Sequence, residues 1–320
     1  MQLPKNNKNI IMPHAPTAML TIFTPTYNRA HTLPRLYESL KAQTCKDFEW
    51  LVVDDGSSDN TSVLLEEWQR ADKNFIVRYL KVENGGKNRA INIGLKYARG
   101  QYFMILDSDD MLTADSVEFV CKKMPEVEAD NAFIGISGKR ADYRTGLPIG
   151  VEADLYSEEG FTDCNNLERI QFGLHRDMAE VFFTDKIRQY EFKVWQGEKF
   201  TPEEVVWNQM ALDGYRLRWY NKITYLCEYQ HGGLSDSTWS LLRDNPMGYA
   251  MMFDQRLLID KSMRGLLDNS IQYNTCCILA GEIGMIAKSK RPWLTLTLFP
   301  AALLLSYRRK KQFKRKLVRR

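Results

Sequence analysis

FEWLVVDDGSSDNT, residues 48–61, joins an apolar run to a polar turn, and this stretch decides the fold class. Its residues 51–53 are uniformly apolar, as expected of a strand in a parallel sheet that is covered on both faces. Asp54 and Asp55 then open a turn, and a helix is predicted over residues 60–70. A strand, a turn and a helix in this order are the repeating unit of α/β folds.

The same unit recurs on both sides of this stretch. Strands are predicted over 19–25, 75–82 and 101–107, and helices over 32–43, 87–98 and 113–124. The alternation predicts an α/β fold with a mixed, mostly parallel sheet flanked by helices. After about residue 128 the alternation loosens, and residues 240–288 have a mainly helical pattern.

Composition limits the classes of function. The 320 residues are 44% hydrophobic and 26% charged, which is typical of a globular protein with a substantial core. The net charge of +4 belongs to the tail, because residues 308–320 hold nine basic residues and subtracting them leaves −5 for the remainder. The body of the protein is therefore not expected to bind nucleic acid. The six cysteines form no CxxC pair and the N-terminus has no apolar signal segment, so we expect reduced thiols in a protein that is not secreted.

An acidic turn follows the strand predicted at 101–107. Asp107, Asp109 and Asp110 lie close enough in sequence for two carboxylates to converge on one hard cation. Mg²⁺ and Mn²⁺ commonly bind between one or two protein carboxylates and substrate phosphates, where they stabilise a departing diphosphate. A solvated acidic turn that caps the next helix is the alternative interpretation, and a DxD pattern taken alone does not decide between them.

Two further polar clusters follow predicted strands, at the sheet edge where open α/β folds bind ligands. Asp55 could accept hydrogen bonds from a nucleobase or a ribose, although Asp-Gly-Ser-Ser is also ordinary turn chemistry. NGGKNRAIN (84–92) offers Gly85 and Gly86 for close backbone approach and Lys87 for phosphate charge. Because this segment lacks both GxxxxGK[ST] and GxGxxG, a helix start with solvated basic residues is the competing interpretation.

The segments TPTYNR (24–29), VVDDGSSDNT (52–61), NGGKNRAINIG (84–94) and ILDSDD (105–110) occur in this order, and together they resemble family 2 glycosyltransferases of the GT-A fold. The resemblance covers about residues 19–125 and is carried by the joint pattern rather than by any one segment. It implies a nucleotide-sugar donor, commonly a UDP-sugar. It also implies a divalent metal, Mn²⁺ or Mg²⁺, and inversion at the anomeric carbon.

The same resemblance implies roles for individual residues. The nucleoside and the rest of the donor would contact Pro25, Tyr27, Asp55, Lys87 and Asp107. The metal would be held by Asp109 and Asp107. These roles raise the functional interpretation of the acidic turn above that of a solvated turn.

A displacement with inversion needs a general base for the acceptor hydroxyl, and the resemblance implies an acidic residue at the start of a helix in the second half. In GEKFTPEEVVWNQM (197–210), Pro202 suits a first helical turn and puts Glu203 and Glu204 at the positive helix end. The family pattern is usually Glu-Asp, whereas this chain has Glu-Glu. A direct alignment favours Glu204, and the Pro-Glu-small pattern of similar polysaccharide enzymes favours Glu203. Both remain candidates, and ordinary first-turn acids are the alternative.

Two other segments of the second half resemble parts of such enzymes. His231, in EYQHGGLS (228–235), is a candidate third metal ligand or diphosphate contact, although a lone loop histidine is more often a surface residue. Asp177 and Glu180 resemble an acceptor-side segment of polysaccharide glycosyltransferases. Solvated helix residues are the alternative for this pair.

The resemblance divides the chain into domains, and the tail suggests a location. We expect a lead-in (1–18), a GT-A domain (19–235) with a nucleotide-binding half (19–125) and an acceptor half (126–235), and a helical C-terminal region (236–320). The apolar segment 293–307 precedes the basic run, and no stretch has the roughly 20 apolar residues needed to span a bilayer. Residues 293–320 are therefore expected to lie on an anionic membrane surface, which makes the protein cytoplasmic and peripheral on the inner face of the cell membrane. A core helix with a solvated charge run is the alternative.

Together these features predict an inverting, hexosyltransferase-type enzyme that moves a sugar from a nucleotide-diphosphate donor to a hydroxyl of a lipid-linked or other glycan acceptor. The setting implied is bacterial capsule, exopolysaccharide or lipopolysaccharide synthesis. A nucleotidyltransferase is the first alternative, but it would carry a Gly-rich loop where this chain has TPTYNR. A catalytically inactive nucleotide-sugar-binding homologue is the second.

Overall fold

The structure, a computed structural model, describes residues 18–149, 160–175, 177–228 and 238–317. His231 and the predicted lead-in up to residue 17 lie outside these residues. The described chain forms a nine-stranded mixed sheet with helices on both faces, followed by a helical C-terminal region. The predicted fold class is confirmed.

Residues 18–105 form four parallel strands with helices between them. These elements are β1 (Ala18–Thr26), α1 (Leu33–Lys41), β2 (Phe48–Asp54), α2 (Thr61–Ala71), β3 (Ile76–Lys81), α3 (Lys87–Tyr97) and β4 (Gly100–Ile105). β1 pairs with both β2 and β4, and β3 pairs with β2. Since all four strands are parallel, their carboxyl ends meet at one edge, where Thr26 lies opposite Asp54.

The second half completes the sheet with strands of both directions. Its elements are β5 (Met111–Leu112), α4 (Ser116–Lys123), α5 (Pro125–Glu128), β6 (Phe133–Asp142), β7 (Phe161–Cys164), β8 (Ala179–Phe183), α6 (Thr184–Ile187), α7 (Glu204–Leu212) and β9 (Arg216–Cys227). The strand order is β3-β2-β1-β4-β8-β6-β9-β5, and β7 pairs with β9. β8 is antiparallel to β4 and β6, whereas β9 is parallel to β6. Most of the described strands therefore run in one direction.

Side chains of the central strands alternate between two apolar cores on opposite faces of the sheet. On β2, Trp50 and Val52 lie in one core, and Leu51 and Val53 lie in the other, all of them fully buried. Each buried aliphatic side chain of this kind contributes about 1.5–3 kcal/mol. Both faces of β2 are covered, which explains why residues 51–53 show no polar alternation.

The C-terminal region consists of helices that pack on one another. They are α8 (Thr238–Asp244), α9 (Pro246–Ile259), α10 (Met263–Ala280), α11 (Pro292–Thr297) and α12 (Phe299–Leu317). A third apolar cluster, which includes Leu242, Met247, Tyr273 and Cys276, lies between them. Within the described parts of the chain, no helix combines the length and the apolar character needed to cross a bilayer.

Candidate active site

The predicted site residues gather at the carboxyl edge of the parallel strands, around a cavity of about 1400 Å³. The end of β1 supplies two of them, the residue after β2 a third, and the first residue of α3 a fourth. Those that line the cavity are Pro25, Tyr27, Asp55, Lys87, Asp107, Asp109, Glu203 and Glu204. The residues predicted for donor, metal and base thus share one cleft, apart from His231, which lies outside the described residues.

Asp55 ties the end of β2 to the loop before α3. Its carboxylate accepts the backbone N–H groups of Gly85 at 2.7 Å and Gly86 at 2.8 Å, and the side-chain amide of Asn84 at 3.1 Å. Gly86 has φ +92°, and a Cβ there would lie 1.9 Å from the carbonyl oxygen of Lys199, so this close approach requires glycine. An ionised carboxylate has about four acceptor sites, so Asp55 retains capacity for a ligand donor.

Lys87 joins the acidic turn to the second half of the chain. Its Nζ lies 2.7 Å from Oδ1 of Asp107 and 2.9 Å from Oε1 of Glu203. Burial alone would lower the pKa of Lys87, but the two carboxylates raise it well above its usual value. Lys87 is therefore a fixed positive charge between two elements that are far apart in sequence.

The turn after β4 concentrates negative charge. Burial by itself would raise the pKa of Asp107, but the charges of Lys87, Arg140 and Arg29 and the hydrogen bond from Lys87 together outweigh burial, so the pKa is lowered. Asp109 lies 3.6 Å from the guanidinium of Arg29. Asp110 is buried, and burial together with the Asp107 charge raises the pKa of Asp110 to about 7. A raised pKa is expected where several carboxyl groups share too few counter-charges.

The acidic turn fits a divalent cation that is shared with a substrate. Asp107 and Asp109 present hard oxygen ligands to the cleft, which suit Mg²⁺ or Mn²⁺. Among the described residues, no three His, Cys, Asp or Glu side chains form a metal-binding group. Two carboxylates completed by substrate phosphates are the usual arrangement for these ions, so the residues fit a shared site rather than a closed protein cage.

The two candidate bases open α7 but have different partners. Glu203 is at the N-cap position and contacts Lys87 through one oxygen. Glu204 is the first helical residue, and it accepts hydrogen bonds from Nε and Nη2 of Arg256 at 2.8 Å and 2.6 Å. Asn208 donates a further hydrogen bond to Glu204 at 3.2 Å. Both glutamates line the cleft, in unequal electrostatic surroundings.

The acceptor-like segment also reaches the cleft. Asp177 and Glu180 line the cavity, and Nη1 of Arg169 lies 3.9 Å from Oε1 of Glu180. Burial raises the pKa of Glu180, against the opposing charges of Arg140 and Arg169. Glu180 belongs to strand β8, so its alternative interpretation as a solvated helix residue is wrong.

Sequence patterns do not predict three residues of this site: Arg140 in β6, Tyr225 in β9 and Arg256 in α9. The Arg140 guanidinium lies 4.2 Å from the centre of the Tyr225 ring, and its Nε–H donates to the carbonyl oxygen of Met178 at 2.7 Å. The Tyr225 hydroxyl accepts the backbone N–H of Asp107 at 2.9 Å. An arginine inside a buried strand pattern is the signal that could have found Arg140. The other two are brought to the site by tertiary packing, which leaves no local signal.

Residues 21–168 match the family model described as Glycosyl transferase family 2. The glycosyltransferase GlyA of Streptococcus pneumoniae serotype 4 is 36% identical over 215 residues, which are 62% of this chain and 30% of GlyA. This chain therefore corresponds to less than a third of the length of that curated relative.

Two solved structures share the architecture. S. aureus TarS 1–349 in complex with UDP-GlcNAc has a TM-score of 0.57 at 16% identity, covering 93% of this chain and 92% of that chain. The mannosyltransferase PcManGT from Pyrobaculum calidifontis, in complex with GDP-Man and Mn²⁺, has a TM-score of 0.52 at 18% identity, covering 93% and 84%. At these identities the likeness shows the fold alone. The family match therefore shows a family 2 glycosyltransferase domain at residues 21–168, and the solved structures show that the fold is GT-A.

Proposed function

We propose that this chain is a metal-dependent, inverting glycosyltransferase that moves a sugar from a UDP-sugar or a related nucleotide-diphosphate donor to an acceptor hydroxyl. The observation that carries the proposal is the single cleft shared by Tyr27, Asp55, Asp107, Asp109 and Glu203. Transfer requires the donor, a counter-charge for the diphosphate and a base in one place, because positioning supplies much of the rate. The UDP-GlcNAc bound to TarS and the GDP-Man bound to PcManGT support this class of donor.

The donor nucleoside would lie at Pro25, Tyr27 and Asp55. Tyr27 is 50% exposed, so its ring is available to pack against a nucleobase. Asp55 would accept a hydrogen bond from the base or the ribose. Lys87 and Arg29 would supply charge-assisted hydrogen bonds to the diphosphate oxygens.

Asp107 and Asp109 would hold the divalent cation, Mn²⁺ or Mg²⁺, with His231 as a further candidate ligand. When bound, the cation supplies Lewis-acid neutralisation of the charge that develops on the departing diphosphate. The contribution of the chain is to keep Asp107 ionised, since the charges of Lys87, Arg140 and Arg29 together lower its pKa against the effect of burial. The Mn²⁺ in PcManGT supports a divalent cation here.

Glu203 or Glu204 would take the proton from the acceptor hydroxyl. The acceptor oxygen forms its bond to the anomeric carbon on the side opposite the diphosphate, while the bond from that carbon to the diphosphate oxygen breaks. One displacement of this kind inverts the anomeric configuration. A base in this role contributes about 10²–10⁴-fold to the rate.

The acceptor would be a lipid-linked glycan of bacterial polysaccharide synthesis, met at the inner face of the cell membrane. Trp293 is 83% exposed and Tyr307 67% exposed, and the basic residues of 308–314 follow them on α12. A basic side chain near an anionic leaflet contributes about 1 kcal/mol to binding, and buried apolar side chains add to this. Residues 293–320 would therefore hold the cleft beside its lipid-linked substrate.

A panel of UDP-, GDP- and TDP-sugars, tested with Mn²⁺, with Mg²⁺ and with EDTA, checks the proposal. Release of a nucleoside diphosphate that depends on the metal is expected, together with an inverted anomeric configuration in the product. Release of pyrophosphate would instead indicate nucleotidyl transfer. Metal-dependent binding of a donor without any turnover would indicate an inactive homologue.

A further inference from the structure

The helical C-terminal region lies beyond the residues that match the family model, yet it reaches the cleft through α9. Arg256 on this helix forms a fork with Glu204, with Nε at 2.8 Å from Oε1 and Nη2 at 2.6 Å from Oε2. Asn208 adds a hydrogen bond to Oε1 at 3.2 Å, so both oxygens of Glu204 are occupied. A guanidinium fork fixes the orientation of a carboxylate and occupies the oxygen lone pairs that a substrate hydroxyl would need.

Helix α9 is also held against the segment that leads into α7, by contacts that do not involve Arg256. The carboxylate of Glu198 accepts the backbone N–H groups of Met247 at 2.7 Å and Gly248 at 2.8 Å, in the first turn of α9. The side-chain amide of Gln255 donates to the carbonyl oxygen of Val205 at 2.8 Å. The position of Arg256 relative to α7 is therefore set by the packing of the two helices and not by the ion pair alone.

Glu203 has different surroundings, although it precedes Glu204 directly. Lys87 contacts Oε1 of Glu203 at 2.9 Å, and Oε2 has no hydrogen-bond partner among the residues that the structure describes. The Nζ of Lys87 also lies 2.7 Å from Oδ1 of Asp107, so its positive charge is shared between two carboxylates. One carboxylate oxygen of Glu203 is thus available to a hydroxyl group in the cleft, which is the geometric requirement for a general base.

We infer that Arg256 is a positioning residue that divides the roles of the two glutamates. It holds both oxygens of Glu204 in hydrogen bonds and out of proton transfer, and it leaves Glu203 to take the acceptor proton. The proton passes to Oε2 of Glu203 as the acceptor oxygen bonds to the anomeric carbon and the bond to the diphosphate oxygen breaks. This inference rests on the proposed function, and it assigns a part in the reaction to the C-terminal region.

The test compares E203Q, E204Q, R256Q, R256K and the double variant R256Q/E204Q. The assay is nucleoside diphosphate release from whichever sugar of the donor panel the wild type hydrolyses fastest, with water as the acceptor. The kcat, the KM for the donor and the pH profile of kcat are measured for each variant. R264Q, which changes an exposed arginine of α10, is the matched control and is expected to behave as wild type.

E203Q is expected to lower kcat at least about 100-fold, because the base is lost, with the donor KM within about twofold, because an amide oxygen can still accept a hydrogen bond from Lys87. E204Q is expected to lower kcat less than about tenfold. The acid limb of the pH profile should stay in place in R256Q, since Arg256 does not contact Glu203. R256Q leaves the carboxylate of Glu204 without its cation, whereas R256Q/E204Q removes that negative charge as well, so the double variant should be at least as active as R256Q. The activity of R256K should lie between those of R256Q and wild type.

Two results would overturn the inference while the proposed function stands. One is a loss of at least about 100-fold in E204Q with E203Q still active. The other is an acid limb that moves to higher pH in R256Q, or in R256K if R256Q fails to fold by circular dichroism. Either result makes Glu204 the base. A wild type that releases no nucleoside diphosphate from any donor would instead overturn the proposed function, and this inference with it.

Discussion

The Nζ of Lys87 lies 2.7 Å from Oδ1 of Asp107, and this contact joins the start of α3 to the turn after β4. Residues that follow parallel strands meet at one edge of the sheet, so these two side chains converge although a helix and a strand separate them. The same Nζ lies 2.9 Å from Glu203. One ammonium group therefore connects the acids assigned to the donor with the helix that carries the candidate bases.

Asp109→Ala is expected to abolish metal-dependent turnover while leaving the fold intact. The ion pair of Asp109 with Arg29 is long, at 3.6 Å, and a pair near the surface contributes about 0–1 kcal/mol, so the melting temperature should change little. Nucleoside diphosphate release in Mn²⁺ should fall at least about 100-fold, because the cation supplies several kcal/mol of transition-state stabilisation. D185A, at an exposed position of α6, is the control. Full activity in the Asp109 variant would mean that the cation binds elsewhere.

The first half of the fold could be predicted from sequence because burial controls local patterns. The strand predicted at 19–25 is β1, Ala18–Thr26, and the helix predicted at 87–98 is α3, Lys87–Tyr97. An apolar run and a helical repeat each indicate which faces of a strand or helix are buried. The position of β8 between β4 and β6 produces no such pattern in the sequence, because it depends on pairings between distant residues, such as Gly135 with Phe182.

The residues of the candidate site also fall into those that the sequence could predict and those that it could not. Asp55 and Asp107 were predictable as polar residues that directly follow apolar strands, at the edge where such folds bind ligands. The different surroundings of Glu203 and Glu204 were not predictable, because Arg256 is brought to Glu204 by the packing of α9 against α7. The sequence therefore predicted two candidate bases but could not distinguish between them.

Gly86→Ala is expected to destabilise the protein more than an alanine at another glycine with similar φ. Gly86 has φ +92° and its added Cβ would meet the carbonyl oxygen of Lys199 at 1.9 Å, whereas Gly214 has φ +91° with nothing within 4 Å. Both variants bear the backbone penalty of a positive φ, roughly 1 kcal/mol. Only G86A must also move the loop that hydrogen-bonds Asp55, so it should have the lower melting temperature and the weaker donor binding by calorimetry. Equal melting temperatures in G86A and G214A would contradict the close approach.

Asp110→Asn is expected to stabilise the metal-free protein, increasingly so as the pH rises. Burial and the Asp107 charge raise the pKa of Asp110 to about 7 in the folded state, against about 3.9 in an unfolded chain. The folded state thus binds this proton more tightly, and the resulting stability is present below about pH 4 and is lost as the pH rises through about 7. Asparagine does not ionise, so the gain in melting temperature over wild type, measured in EDTA, should be larger at pH 8 than at pH 5. D185N should show no such trend, and equal gains for D110N at both pH values would rule out the raised pKa.

Replacing Trp293 and Leu304 with serine is expected to weaken binding to anionic vesicles without altering donor hydrolysis. These side chains are 83% and 55% exposed, so the changes remove apolar contact with a membrane rather than core packing. K310E/K311E should weaken binding further, by about 1 kcal/mol for each charge lost, and only at low salt, where screening is weak. Co-sedimentation with phosphatidylglycerol-containing and pure phosphatidylcholine vesicles measures both effects, with V63S, at a 64% exposed position of α2, as the control. The serine variants test apolar contact with the membrane, and the glutamate variants test electrostatic attraction. Unchanged co-sedimentation in both would mean that residues 293–320 do not bind the membrane.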